Sequence, residues 1–289
     1  FMAGVNMEAD MAIDPVPAIT EAEATGETAE IYADIRANLG IGVVNLIWRH
    51  LAIMPGALPW AWEALKPLYA AGTVAAQANA LRNGLDVPSL AGLSGPTLAA
   101  AGLSKADLTQ IVMIQNSYER SNALNIIALG ALLAKLQGTS AAGEPAPVVP
   151  EVIAESPVVG RMPALLSLAE MPAEVARLVQ DLNRIGDRDE ILASMYRHLS
   201  HWPPYLALIH TLIAPFAADG RLEPVILNVI KEGRRRAGEI ANGLATPATM
   251  PGEEVQADMI AALSLFIDGP IGKMSAIVPL IARALPELD

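Results

Sequence analysis

The chain has 289 residues, 53% of them hydrophobic and only 17% charged, which is enough apolar surface for one large core or two half-sized ones. A formal charge of -12 argues against nucleic acid as a partner, because phosphates reward clustered Lys and Arg, and Arg234-Arg235-Arg236 is a short run suited to a solvated helix face. With no cysteine, disulfides, thiolate nucleophiles and zinc-thiolate sites are all excluded.

Apolar stretches such as Ile126 to Leu133 are too short for a membrane span. The first residues lack the basic region and apolar run of a signal peptide, so a soluble cytoplasmic protein with no membrane partner is expected. So few charges leave little solvated coat, and part of the apolar excess is expected to be covered by a second subunit, most simply in a symmetric homodimer.

Ala and Leu dominate, apolar residues recur every three or four positions, and strand-like alternation is scarce, so the fold class is all-α. After a loose opening, Thr28 to Asn38 reads as a helix closed by Gly40. Val43 to Ile53 forms the next, stopped by Pro55-Gly56. Pro59 suits the first turn of a third helix, in which Pro67 should cause a break or kink. A shorter helix covers about Val74 to Leu85. Ser104-Lys105-Ala106-Asp107 caps the longest helix, which runs to about Gln137. Residues 138–163, rich in Gly, Pro, Ser and Ala, read as a linker between a helical repeat over 1–137 and a second over 164–289. The second set comprises Glu174 to Ile185, Glu190 to His201, Pro204 to Ala218, Leu222 to Asn242, and a last long helix from near Gly252, interrupted by Pro270.

The two sets match in sequence. Trp48-Arg49-His50-Leu51, followed by Pro55 and Leu58, returns as Tyr196-Arg197-His198-Leu199, followed by Pro203 and Leu206. The register holds to Pro67 and Gly72 against Pro215 and Gly220, a constant offset of 148 (215 − 67). Such self-similarity predicts two tandem helical repeats forming a pseudodimer, with a pocket between them. A residue present in both copies serves the shared fold, whereas one found in a single copy is a candidate for a site. Arg49-His50 and Arg197-His198 recur, which favours arginines tying down helix ends and histidines satisfied in the core. His198 and His201 lie one helical turn apart, but no carboxylate cluster accompanies them, so no metal is expected. His210 and the Trp60/Trp62 pair either line a pocket or, as aromatics at such helical spacings more often do, belong to the core.

One polar stripe breaks the symmetry. Gln115, Glu119, Asn122 and Asn125 are spaced four, three and three, with Tyr118 beside them, between the apolar runs Ile111 to Ile114 and Ile126 to Leu129. Polar side chains in such surroundings are costly to bury without partners. The matching second-repeat segment, Phe266-Ile267-Asp268-Gly269-Pro270, lacks the stripe. Two readings stand. Glu119 is a general base in an apolar pocket, with Asn122 and Asn125 orienting a substrate carboxylate or hydroxyl. Alternatively Glu119 belongs to a structural network with an arginine such as Arg49 or Arg197.

The plan resembles the group I 2-haloacid dehalogenases, which act on both D- and L-2-haloacids. Ile31-Tyr32-Ala33-Asp34-Ile35-Arg36, Arg49, Leu51-Ala52, Pro55-Gly56 and Leu58-Pro59 are similar to that family's opening. Tyr118 through Asn122 to Ile126 resembles its central motif, an aromatic followed by Asn-x-Gly-Asn-Pro. Leu199, Trp202-Pro203 and Leu206 resemble its second-repeat segment. The resemblance implies hydrolysis in which an aspartate of the second repeat, helped by an asparagine of the central motif, activates water to displace halide without a covalent enzyme intermediate. Met195 stands at the aspartate's position, beside Ser194 at that of the preceding serine. Glu119 stands at the helper asparagine's position, and Val43 and Leu46 replace pocket aromatics.

Methionine cannot take a proton from water, so changed chemistry is expected: a cofactor-independent enzyme of lyase, dehydratase or isomerase type. Its substrate would be a small organic molecule, aromatic ones included. Glu119 is the expected base; Tyr118, Asn122 and Asn125 would position the substrate, with Arg49, Arg197 or Arg120 neutralising a carboxylate or phenolate and His50 and His198 nearby. The alternatives are a hydrolytic 2-haloacid dehalogenase with Glu119 as relocated base, and a non-catalytic small-ligand-binding protein.

Overall fold

Twelve α-helices, and no strand among the described residues, build the computed structural model, which describes residues 16–139 and 161–287. Helix α1 (Gly26–Leu39) ends at Gly40, whose N–H turns back to the Arg36 carbonyl at 2.9 Å. Short α2 (Leu46–Leu51) leads into α3 (Ala57–Ala70), which runs through Pro67 without being divided. Pro67 lies in the last turn, where only three more residues depend on the helix continuing. Helix α4 (Thr73–Gly84) is followed by α5 (Gly95–Ala100), an element too short to show a period in the sequence. Ser94 caps α5 by accepting from the Thr97 N–H at 3.1 Å. Helix α6 (Lys105–Leu136) opens with a full capping box between Ser104 and Asp107. Most of the expected linker, residues 140–160, lies outside the described residues.

The second half contains α7 (Ala173–Arg184), α8 (Ser194–Leu199), α9 (Pro203–Ala218), α10 (Leu222–Ile240), α11 (Glu253–Phe266) and α12 (Gly272–Ala282). Adding 148 to the bounds of α2 gives 194–199, the bounds of α8. The same shift carries α6 (105–136) to 253–284, the stretch occupied by α11 and α12. Those two are joined by a π-helical turn over Ile267–Ile271, in which Gly269 leaves the helical region (φ -94°, ψ -115°). Pro270 is the physical cause, since its ring removes an N–H donor and crowds the preceding turn.

The long helix α6 is the axis of the molecule, packed by α10, α4, α12 and α11. Its stretch from Ile126 to Leu133 is buried throughout. The two halves therefore share one core. Helices α6 and α10 pack with a glycine of each against a side chain of the other: a Cβ on Gly233 would come within 2.8 Å of the Ile126 side chain, and one on Gly130 within 2.8 Å of the Ala237 methyl. Contrary to the expectation that no apolar stretch is long enough, Glu253–Ala282 could cross a membrane by length and composition alone. The fold uses it otherwise, with 83% of its most apolar window buried inside the protein. Because Gly233 sets the α6–α10 distance, Gly233→Val should lower unfolding stability by about 1–3 kcal/mol, read from the urea midpoint at unchanged m.

Candidate functional site

A small cavity of about 50 Å³ opens where the two halves meet. The start of α2 contributes Asn45, Leu46 and Ile47, and the segment entering α8 contributes Ile191 through Met195. Helix α6 adds Tyr118, Asn122 and Asn125, and the α11–α12 junction adds Phe266, Pro270, Ile271 and Met274. Many of these lining residues are related by the offset of 148: Asn45 and Ala193, Leu46 and Ser194, Ile47 and Met195, Tyr118 and Phe266, Asn122 and Pro270.

Residues 118, 122 and 125 share a face of α6 because they are spaced four and three. Glu119 is turned from Tyr118 by about 100° and does not line this cavity. The expectation that it shares a pocket with Asn122 and Asn125 is therefore corrected. The structural alternative is corrected in its partner as well: Glu119 meets Arg82 of α4, at 3.3 Å, rather than Arg49 or Arg197. That pair sits with Ser275 and Arg283 in a separate recess.

Two other polar side chains of the stripe reach partners across the core. Gln115 donates to the Tyr205 hydroxyl at 2.6 Å, and Asn125 Oδ1 accepts from Trp48 Nε1 at 2.9 Å. An indole nitrogen only donates, so this contact fixes the orientation of the Asn125 amide and turns its Nδ2 the other way. That Nδ2, the Nδ2 of Asn122 and the Oδ1 of Asn45 are buried without a hydrogen-bond partner. An unsatisfied buried donor or acceptor costs about 1–3 kcal/mol, so two donors and an acceptor lining one cavity suit a polar occupant.

Tyr118 Oη lies 2.8 Å from His198 Nδ1, joining the halves. Burial, then the positive charges of Arg197, His201 and Arg49, hold His198 down to about 4. Burial raises the Tyr118 hydroxyl, while Arg49, Arg197 and a hydrogen bond from Ser194 act in the opposite direction. The pair is thus neutral around pH 7. The corresponding contact in the other sense is His50 against Phe266, 6.0 Å between ring centres compared with 5.8 Å for His198 and Tyr118. Phe266 has no hydroxyl, so only one of the two contacts can move a proton.

The other expected residues lie around this centre. Arg49 and Arg197 are buried, with Nε donating to the Val44 and Leu166 carbonyls at 3.2 and 2.7 Å. Neither lines the cavity, though both charges act on Tyr118. His50 Nδ1 meets the Pro17 carbonyl, and Arg120 ties α6 to the Leu39 carbonyl at 2.8 Å, so both lie outside the cavity. Leu46, Ser194 and Met195 line it and Val43 does not. His201 turns to the Ala164 carbonyl rather than joining His198. Trp60 and Trp62 are core, with Trp62 donating to Asp34 at 2.8 Å. Sequence reasoning missed Asn45, Phe266 and Met274. Their signal was available in the repeat, since Phe266 stands opposite Tyr118 and Asn45 directly precedes Leu46.

No Asp or Glu lines the cavity, and among the described residues no three His, Cys, Asp or Glu gather where a metal would bind. With His198 lowered to about 4, the unfolded chain binds its proton first on acidification. This contribution to stability is complete above about pH 6.5 and is lost as pH falls towards 4. Melting temperature recorded against pH should accordingly drop less steeply across that window in His198→Asn than in the parent.

No family model matches the chain. It is 31% identical over 113 residues to an (R)-2-haloacid dehalogenase of Pseudomonas putida, a match spanning 37% of this chain and only 38% of that protein. It is 27% identical over 249 residues to a configuration-inverting 2-haloacid dehalogenase of Alcaligenes xylosoxydans xylosoxydans, covering 83% of this chain and 81% of the relative. Among solved structures, a D-2-haloacid dehalogenase mutant superimposes with a TM-score of 0.70 at 18% identity, over 93% of this chain and 96% of that one. At low identity, the chain is thus similar to configuration-inverting 2-haloacid dehalogenases, and it shares the fold of a D-2-haloacid dehalogenase.

Proposed function

We propose that the two halves, over 1–137 and 164–289 with 138–163 between them, are copies of one helical unit, and that the cavity at their junction is a hydrolytic active site for short aliphatic 2-halo acids. The reading is carried by one observation: Tyr118, hydrogen-bonded to a neutral His198, lines a cavity together with Asn122 and Asn125, whose Nδ2 groups have no partner. Those Nδ2 groups donate to the substrate carboxylate, and the charges of Arg49 and Arg197 nearby favour an anion. Water attacks the α carbon in line with the carbon–halogen bond, and the halide departs with the bonding pair. The water's proton passes to Tyr118 Oη as the tyrosine's own proton moves to His198 Nδ1. In-line attack inverts configuration, in keeping with the names of the relatives.

An imidazole held at about 4 stays unprotonated at neutral pH, free to receive the proton. Its low basicity speaks against lyase, dehydratase or isomerase chemistry, since pulling a proton from carbon calls for a stronger base. An aromatic substrate is disfavoured too, because Leu46, Phe266 and Met274 close a cavity of about 50 Å³. The lack of a lining carboxylate favours a second reading, in which the cavity binds such acids without turning them over.

Halide release from each enantiomer of 2-chloropropionate separates the readings. The enzyme should release chloride, and Tyr118→Phe should reduce the rate by about 100-fold or more while leaving binding in place. A rise in melting temperature with no release assigns a binding protein. Neither effect overturns both readings.

A further inference from the structure

Lys273 is fully buried on α12, between Ile271 and Met274, which line the cavity. Its Nζ donates to the Asn183 carbonyl at 2.6 Å and the Asp187 carbonyl at 2.8 Å, both at the C-terminal end of α7 and the turn beyond it. Asn183 continues the hold: its Nδ2 donates to the Asp189 and Ile191 carbonyls, at 3.2 and 3.3 Å, and its Oδ1 accepts from the Ala193 N–H at 3.0 Å. Gly186, Asp187 and Arg188 are left-handed in succession, with φ of 79°, 51° and 56°. Two of these are not glycine, and such backbone persists only where the surroundings over-determine it.

We infer that Lys273 is a positioning residue of the cavity, clamping residues 186–193 so that Ile191 through Met195 form its wall; this rests on the function proposed above. A core that needed only filling would take an apolar side chain, because burying an ammonium is costly unless its donors are used. Burial lowers the Lys273 ammonium to about 8, against the opposing pull of Asp189, Glu190 and Asp187. The Arg188 guanidinium, which acts in the same direction as burial, is held by Glu223 of α10 at 2.7 and 2.8 Å. A neutral amine keeps two N–H donors for the two carbonyls, so the clamp does not open on deprotonation. The first half has a counterpart at the same helical position: 273 − 148 is 125, and Asn125 holds Trp48 of α2, the helix that carries the opposite wall.

The test is hydrogen exchange of residues 185–193 together with calorimetric Kd values for both enantiomers of 2-chloropropionate. In Lys273→Met, exchange in 185–193 should rise roughly tenfold while α6 stays protected, and Kd should rise by about tenfold. Lys273→Arg, which retains donors, should recover part of both. Unchanged exchange in 185–193, or acceleration spread evenly over all helices, overturns the inference. If Lys273→Met does not fold, Lys273→Gln is judged by the same two outcomes. Parent protein that binds neither enantiomer overturns the proposed function instead, and exchange alone then decides the role of Lys273.

Discussion

A helix buried along most of its length must settle its polar side chains inside the protein, and that constraint on α6 organises the rest of the structure. Gln115, Tyr118 and Asn125 each reach a partner on another helix: Tyr205 of α9, His198 of α8 and Trp48 of α2. Each of these hydrogen bonds contributes only about 1 kcal/mol net, but losing a partner would cost more than the bond contributes, so together they set how the surrounding helices sit. The amide groups left over, on Asn122 and Asn125, point to no protein partner. The cavity lies where they do.

Matching positions at the offset of 148 both line that cavity, and its chemistry comes from where they differ. His50 and His198 both pack against an aromatic of the opposite half, Phe266 and Tyr118. One hydroxyl turns the second contact into a hydrogen-bonded pair that can relay a proton. Position 122 offers an amide where position 270 has the proline that distorts the α11–α12 junction. Arg49 and Arg197, present in both halves, use their Nε donors on main-chain carbonyls, and their charges act on Tyr118.

Much of the scaffold was legible before any coordinates. The 3.6-residue period, the Ser104 box, Gly40 and Pro270 mark helix ends by local chemistry, and local chemistry needs no knowledge of the fold. Helix α5 escaped because a six-residue element shows too little of a period. Glu119 was misplaced because four residues spaced four, three and three fall within a band on a helix surface rather than along a line. The edge of that band faces α4, and the presence of Arg82 there follows from a packing the spacing does not contain.

By itself, the sequence determined the all-helical class, most helix boundaries and the recurrence at 148, since each depends on neighbours a few residues apart or on direct comparison of the chain with itself. The all-helical class and the distant kinship to 2-haloacid dehalogenases agree with the relatives and the fold. Only the tertiary structure decided which polar side chains are spent on partners and which remain without one. It joined Tyr118 to His198 across 80 residues and gave Glu119 to Arg82, and it set a buried lysine behind the wall of the cavity. Those outcomes depend on distances between elements far apart in the chain, and periodicity says nothing about them.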